Sequence, residues 1–193
     1  MNNFEYIMSQ FGSRENKRLS DSLAIDVHEL PGTGWKLVAK RQWRTGARSR
    51  PQNEVTQRAS EIGTFSTWKS FELTVNQRWV WIEVIPVCSS LDAITLIPDL
   101  RSILVTNSKS RATLVEENQN QRTGLIFDSE TWTYEQLTEG PEGTGSMRLI
   151  GSHVENVVYI VACSAFEPSW TWSEVAQIAA LEASKIRGIL KSK

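Results

Sequence analysis

The feature that most constrains the fold is a strand-like run that leads into a helix-like run, and the chain contains it twice. The segment RWVWIEVIPV, residues 78–87, reaches Cys88-Ser89 and then a helix-like run, SLDAITLIPDLRSIL. The segment NVVYIVA, residues 156–162, reaches Cys163-Ser164 and then a second helix-like run. Segments of both kinds in one chain predict helices packed against a sheet.

Each strand-like run is the second strand of a predicted hairpin. Residues 68–75 alternate between polar and apolar, and Asn76-Gln77 is expected to turn the chain into residues 78–87. A second hairpin is predicted over residues 146–165, with its turn at 154–156. The 78–87 strand is apolar on both faces, which predicts a central strand covered on both sides or a Trp-bearing face that meets a partner.

A further strand is predicted from the alternation in WKLVAKRQWR, residues 35–44, which precedes the first hairpin. Its apolar side consists of Trp35, Leu37, Ala39 and Trp43. This alternation predicts a half-buried strand.

Three helices are predicted from capping residues and apolar spacing. The first covers residues 19–29, and the second covers residues 89–104, where Pro98 should kink or split it. The last begins after a capping box of Thr171 and Glu174. The apolar stripe of the second helix is predicted to be Leu91, Ile94, Ile97, Leu100 and Leu104, and that of the last helix Val175, Ile178, Leu181, Ile186 and Ile189.

The chain therefore contains two β-hairpin-plus-helix units, at about residues 35–104 and 131–190. A hairpin cannot bury both of its faces alone, so the two units are expected to join. The predicted fold class is α+β: an antiparallel β-sheet flanked by helices. We expect residues 1–18 to be a tail or short helix and residues 19–193 to form a single domain.

Composition and charge exclude several classes of protein. The 193 residues suffice for one hydrophobic core, and a net charge of -1 argues against a chain that binds polyanions over its whole surface. Neither an apolar stretch of about 18 residues nor a signal-like N-terminus is present. As the chain stands it is predicted to be cytoplasmic, or extracytoplasmic if a leader has been removed.

The two cysteines, Cys88 and Cys163, occupy matching positions in the two repeated segments. Two cysteines are too few for a structural zinc site, but they could form one disulfide in an oxidising compartment. The favoured interpretation is two small buried residues at strand ends.

No motif for catalysis, metal binding or cofactor binding is found. The two histidines, His28 and His153, lack carboxylates or other histidines at metal-ligand spacing, and the glycine-rich GTGW and EGTGS do not match a phosphate-binding loop. We therefore predict no catalytic residue, no metal ligand and no cofactor.

A basic stretch with an interleaved aromatic lies at residues 40–50. Its cations are Lys40, Arg41, Arg44, Arg48 and Arg50, with Trp43 among them. Such a pattern could contact a polyanion such as nucleic acid. The favoured interpretation is a solvated strand edge, because edge strands commonly carry Lys and Arg.

Eight tryptophans are the main oddity of the composition. Trp79 and Trp81 share one face of the 78–87 strand, while Trp170 and Trp172 lie at the start of the last helix. Core packing is the default role of tryptophan, and an aromatic surface for a ligand or partner is the alternative.

Four segments together resemble actinobacterial PsbP-like domains, which include LpqN-type lipoproteins and the extracellular sensor domains of PknH-type Ser/Thr kinases. They are LPGTGW, RWVWIEVIPV, NVVYIVACSA and VAQIAALEASKIR, and the resemblance covers about residues 20–190. It implies an antiparallel sheet flanked by helices, no enzyme activity, and binding of a small ligand or another protein.

We therefore expect a non-enzymatic binding or sensing module for a small ligand or a protein partner. The alternative is a structural subunit of a larger assembly, in which the Trp-bearing strand contacts neighbouring subunits. A nucleic-acid accessory role that uses residues 40–50 comes third.

Overall fold

The computed structural model describes residues 13–45, 54–61, 64–107, 113–114, 131–140, 143–166 and 168–192. Seven strands form one antiparallel sheet in the order β1-β2-β3-β7-β6-β5-β4. The strands are β1 Lys36–Arg44, β2 Phe65–Leu73, β3 Arg78–Pro86, β4 Thr113–Leu114, β5 Trp132–Gly140, β6 Gly143–Val154 and β7 Val157–Phe166. The helices are α1 Ser13–Leu23, α2 Glu54–Glu61, α3 Ser90–Asn107 and α4 Trp172–Lys191. The predicted α+β class is confirmed.

The two repeated units meet at the centre of the sheet. β3 pairs with β7 in antiparallel register, from Arg78 opposite Ala165 to Pro86 opposite Val157. Each unit adds its other strands outward, β2 and β1 on one side and β6 and β5 on the other. The repeated pattern thus supplies the two central strands and the helix that follows each of them.

β3 is a central strand, as predicted, because it lies between β2 and β7, and helices pack on both faces of the sheet. Val80, Ile82 and Val84 pack with α1 and α4, on what we call the α1/α4 face. Trp81 and Ile85, the alternate residues, pack with α2 and α3 on the α2/α3 face. This double cover explains why β3 is apolar on both sides.

The turns within the two units differ in length. The β6–β7 turn lies at Glu155-Asn156, as predicted, with Glu155 at a φ of 52°. The expected two-residue turn between β2 and β3 is wrong, because a 3-10 helix over Thr74–Asn76 and Gln77 at a φ of 48° form it.

Helix α1 begins earlier than the sequence indicates. It covers Ser13–Leu23 and is followed by a 3-10 turn at Val27–Glu29, capped by Asp26, where one helix over residues 19–29 was expected. The expected domain boundary after residue 18 lies inside this helix. Helix α2, Glu54–Glu61, had no predicted counterpart.

Strand β1 is an exposed edge rather than a half-buried strand. The side chains of Leu37 and Val38 are 43% and 58% exposed. A register shift between Leu37 and Ala39 places Leu37 opposite Phe71 and Ala39 opposite Ser70, on different faces of the sheet. The predicted common apolar side is therefore wrong, because simple alternation cannot anticipate a bulge.

Helices α3 and α4 follow their predictions except in detail. Leu91 and Ile94 are exposed, and α3 instead buries Ala93, Leu96, Ile97 and Leu100. Pro98 lies inside α3, which continues over Ser90–Asn107 and is not split. The capping box of Thr171 and Glu174 at the start of α4 is confirmed.

The disulfide that the two cysteines could form is absent, because Cys88 and Cys163 are both free and buried. Cys163 packs on the α1/α4 face and Cys88 on the α2/α3 face. Cys163 also lies opposite Val80, eight residues before Cys88, which is roughly 25 Å along an extended strand. Burial raises the pKa of the Cys163 thiol, so this thiol stays protonated and unreactive.

Candidate ligand site on the sheet

The α2/α3 face carries an aromatic surface on β2 and β3, which we call the Trp face. Three direct cross-strand pairs define it: Trp68 with Glu83, Ser70 with Trp81, and Glu72 with Trp79. Members of such pairs have Cβ atoms about 5 Å apart on the same side of a sheet. All six side chains are partly exposed, so they form a half-buried surface beside the core.

Trp79 and Trp81 are held from the β7 side. Trp79 lies opposite Ser164, and its ring meets the ring of Phe166 edge-on, with 6.2 Å between centroids. Trp81 lies opposite Ala162 and packs against the edge of the α2/α3 core cluster. Both indole rings are thus in contact with neighbouring side chains and remain partly exposed.

Trp68 borders this surface on the side of the edge strand. The Arg41 guanidinium of β1 lies over the Trp68 ring, 5.6 Å from its centroid. A cation at this distance from an indole face is attracted by the ring quadrupole. One ring of the Trp face is therefore already in contact with a cationic side chain, at the edge of this surface.

Glu83 lies in the middle of the Trp face and has no partner in the described part of the chain: it makes neither a hydrogen bond nor an ion pair there. Its neighbours on the same face are Trp81 and Ile85 along β3, and Trp68 and Ile160 across the strands. Burial among these groups raises the pKa of its carboxyl from the ordinary 4.5 to about 7.

Glu83 was not among the residues predicted to form a site, although its position in the sequence carries a signal. In RWVWIEVIPV it is the one acidic residue of a strand otherwise apolar on both faces. Acidic residues are rarely buried without a partner, so this position marks either strain or a function.

Trp170 and Trp172 lie on the other side of the sheet. Trp170 is buried, stacks on Trp35 with 6.0 Å between centroids, and donates its Nε1 proton to the Ser164 carbonyl. Arg78 lies 4.3 Å above the Trp170 ring. Because both Trp170 and Trp172 pack on the α1/α4 face, they do not form one surface with Trp79 and Trp81.

The basic stretch is divided between the two faces. Lys40 lies opposite Lys69 on the α1/α4 face and pairs with Asp21 at 2.6 Å, whereas Arg41 lies over Trp68 on the other face. Arg44 is exposed at the end of β1. Arg48 and Arg50 fall outside the described residues, so the predicted polyanion contact stays a prediction.

A second buried carboxyl, Glu182 of α4, lies within the α1/α4 face. Its Oε2 accepts a hydrogen bond of 2.9 Å from the Ile25 backbone N–H. The Lys69 ammonium nearby is also buried and donates to the carbonyls of Asp21 and Ala24. Burial raises the pKa of Glu182 to about 8, against the opposing effects of the Ile25 N–H, Lys185 and Lys69. These contacts join α4, α1 and β2, so this cluster serves the fold.

The described residues contain no group of three or more His, Cys, Asp or Glu side chains that could hold a metal ion. None of the helices in the described part of the chain is long and apolar enough to cross a membrane.

Comparison with known proteins shows the fold. No known protein-family profile matches the chain, and no curated protein matches it. Among solved structures it is similar to the extracellular domain of PknH from Mycobacterium tuberculosis, with a TM-score of 0.58 and 16% identity. That likeness covers 89% of this chain and 96% of the PknH domain. The predicted PknH-type fold is therefore confirmed, while the wider PsbP-like membership stays a prediction.

Proposed function

We propose that this chain is a non-enzymatic binding module whose ligand lies on the Trp face, against Trp79 and Trp81. The observation that carries the proposal is Glu83, a carboxyl without a partner at the centre of a half-buried aromatic surface. A fold gains nothing from desolvating such a group, so a ligand that uses it is the simplest reason for its presence.

Two further observations support binding. Half-buried tryptophans offer large, rigid contact area with little side-chain entropy to lose. The similar fold of the PknH domain is that of an extracellular domain, which favours the extracytoplasmic alternative for localisation.

The test uses Nile red, an uncharged apolar dye whose fluorescence rises on desolvation. We expect the wild-type chain to bind it and Trp81→Ala to bind it about tenfold more weakly, since one indole face supplies 1–2 kcal/mol. Trp172→Ala is the matched control, because Trp172 is also partly exposed but packs on the α1/α4 face. Equal loss in both variants, or no binding by the wild type, would refute a site at the Trp face.

The alternative of a structural subunit makes a different prediction. If Trp79 and Trp81 contact a neighbouring copy, the chain should oligomerise at micromolar concentration, and Trp79→Ala should return it to a monomer. Light scattering during size-exclusion chromatography distinguishes the two, because the binding-module proposal expects a monomer near 21.8 kDa in both forms.

A further inference from the structure

We infer that the occupant of the Trp face is a small organic cation, an alkylated ammonium group that lies against Glu83 between Trp68 and Trp81. This inference rests on the proposed function and adds the chemical class of the ligand. Three properties of the site lead to it: the sign of its free charge, its aromatic walls and its shortage of hydrogen-bonding groups.

The free charge at the centre of the site is negative. Glu83 makes no ion pair in the described part of the chain, and Arg41, which lies over Trp68, is carried by β1, two strands away from β3. A ligand that supplies a positive charge would therefore pair with a carboxylate that the fold leaves without a partner.

The walls of the site suit a cation that has an apolar body. Trp68 and Trp81 are both same-face neighbours of Glu83, one across the strands and one along β3, so the register gives Glu83 an indole-bearing neighbour in two directions. Indole is the strongest cation–π partner among the side chains. The stacking of Arg41 on Trp68 shows that one of these rings already takes part in this interaction.

The shortage of hydrogen-bond acceptors selects the kind of cation. The direct same-face neighbours of Glu83 are Trp68, Trp81, Ile85 and Ile160, none of which offers a strong acceptor, and the diagonal positions on β2 add only the hydroxyls of Ser66 and Ser70. A primary ammonium has three N–H donors and is strongly hydrated, so it would enter this site with donors unsatisfied. An alkylated ammonium has few or no N–H groups, and its alkyl groups can contact the indole rings.

A metal ion fits this site poorly. Hard cations such as Ca²⁺ and Mg²⁺ need about six oxygen ligands, whereas Glu83 supplies one carboxyl and Glu72 lies farther along the surface beside Trp79. The described residues contain no other cluster of metal-ligating side chains.

The affinity of a cation for Glu83 should depend on pH, because the carboxyl must be ionised to pair with it. Among the described residues, the other charged or titratable side chains on this face of the strands are Arg41, Lys36, Glu72 and His153, and the helices packed on it carry Glu54, the Arg58–Asp92 pair, Asp99 and Arg101. Glu83 has a pKa of about 7 in the free chain, so about a tenth of the chains carry its carboxylate at pH 6 and about nine tenths at pH 8. A ligand that needs the carboxylate should bind about tenfold more tightly at pH 8 than at pH 6.

The experiment compares choline with 3,3-dimethylbutan-1-ol, its neutral isostere, by NMR titration of the full chain. We expect choline to bind at least about tenfold more tightly than the alcohol, with the pH dependence given above. Glu83→Gln should weaken choline about tenfold and remove that pH dependence, while Nile red binding is retained. Glu54→Gln, at an exposed carboxylate of α2, is the control and should match the wild type.

The outcomes separate the two proposals. Equal binding of choline and the alcohol, or choline binding that Glu83→Gln leaves unchanged, overturns the organic-cation inference while Nile red binding keeps the binding module. If Nile red binds and choline does not, the organic-cation inference is likewise overturned and the binding module is kept. Loss of Nile red binding at the Trp face, by contrast, refutes the proposed function itself. If Arg-containing peptides bind and choline does not, the occupant is a protein segment and the inference is wrong.

Discussion

The two faces of the sheet each hold a carboxyl whose pKa is raised by burial, and the two carboxyls differ in their hydrogen-bonding partners. Glu182, on the α1/α4 face, accepts a backbone hydrogen bond from Ile25 and lies near buried Lys69. Glu83, on the α2/α3 face, has tryptophan and isoleucine side chains at its direct same-face positions and no partner among the described residues. Burial desolvates both carboxyls, but only Glu182 accepts a hydrogen bond that stabilises the fold.

This difference is the reason for which we propose binding on the α2/α3 face and assign the polar contacts of the α1/α4 face to stability. On the α1/α4 face, polar groups bind the segment that follows α1 to α4 and β2: Glu182 accepts from the Ile25 N–H, and Lys69 donates to the Ala24 carbonyl. The α2/α3 face is closed over β5, β6 and β7 by α3, and it is partly open over β2 and β3. Natural proteins retain unfavourable groups mainly where function requires them. Four substitutions test this difference between the two faces.

The largest effect is expected in the closed part of the α2/α3 face, at Gly151. The ring of Trp132 lies so close to Gly151 that an added Cβ would stand 2.1 Å from its Nε1 atom, and Trp132 is buried. Gly151→Ala should cost at least about 3 kcal/mol of unfolding free energy, because the ring cannot give way without moving the core. Urea denaturation measures it.

Gly188→Ala is the matched control for this substitution. Gly188 lies in α4, and a Cβ there meets nothing within 4 Å, so alanine should stabilise the helix by about 0.5–1 kcal/mol. If Gly151→Ala were as harmless as this control, the α2/α3 face would be looser over β6 than the structure indicates.

The next effect concerns Glu182. Glu182→Ala should cost about 2–3 kcal/mol, because it leaves the Ile25 N–H unsatisfied in the core and opens a cavity. Glu182→Gln keeps an oxygen for the Ile25 N–H and should restore most of that loss. If alanine and glutamine were equivalent in thermal unfolding, the contact between α4 and the end of α1 would not be structural.

A smaller effect of opposite sign is expected at Glu83. Its folded pKa of about 7 lies above its ordinary 4.5, so the folded chain holds the proton more tightly than the unfolded chain. The contribution of this group to stability is therefore fully present below pH 4.5 and is lost as pH rises through 7. Glu83→Gln should be about 2 kcal/mol more stable than the wild type at pH 8 and similar to it at pH 5.

Burial also raises the pKa of Glu182, so the wild type should lose stability as the pH rises because both Glu83 and Glu182 ionise. The difference between wild type and Glu83→Gln isolates the Glu83 part. A variant that is less stable than the wild type at pH 8 would mean that Glu83 has a stabilising partner, and the contrast between the two faces would disappear.

Much of the fold could be predicted because periodicity and caps report on local structure. The capping box at Thr171 predicted the start of α4 correctly, and the apolar residues on both faces of β3 predicted a central strand correctly. Side-chain burial was predicted less well: Leu181 of α4 is 38% exposed, while its neighbour Glu182 is buried. A carboxyl enters a core when a particular N–H and cation lie opposite, which depends on tertiary contacts that periodicity does not contain.

The candidate site could be predicted only in part, for a related reason. That Trp79 and Trp81 share a face could be predicted from their spacing, whereas the register adds Trp68 from the neighbouring strand. Glu83 was overlooked, since a charged residue in an apolar strand fits neither simple pattern. Trp170 was grouped with the surface by residue type, although its Nε1 proton and its ring are both used by the α1/α4 core.

The smallest effect is expected at the edge strand, where Lys40 pairs with Asp21 at 2.6 Å. Lys40 is 39% exposed, so Lys40→Ala should change the unfolding free energy by less than about 0.5 kcal/mol, and added salt should reduce even that. Lys69, which is buried, lies 3.3 Å from the other oxygen of the same carboxylate. Lys69→Met should cost several times more, because it leaves the Asp21 and Ala24 carbonyls without their donor. Equal costs for the two lysines, measured by urea denaturation at low and high salt, would mean that burial does not separate the structural polar groups from the solvated ones.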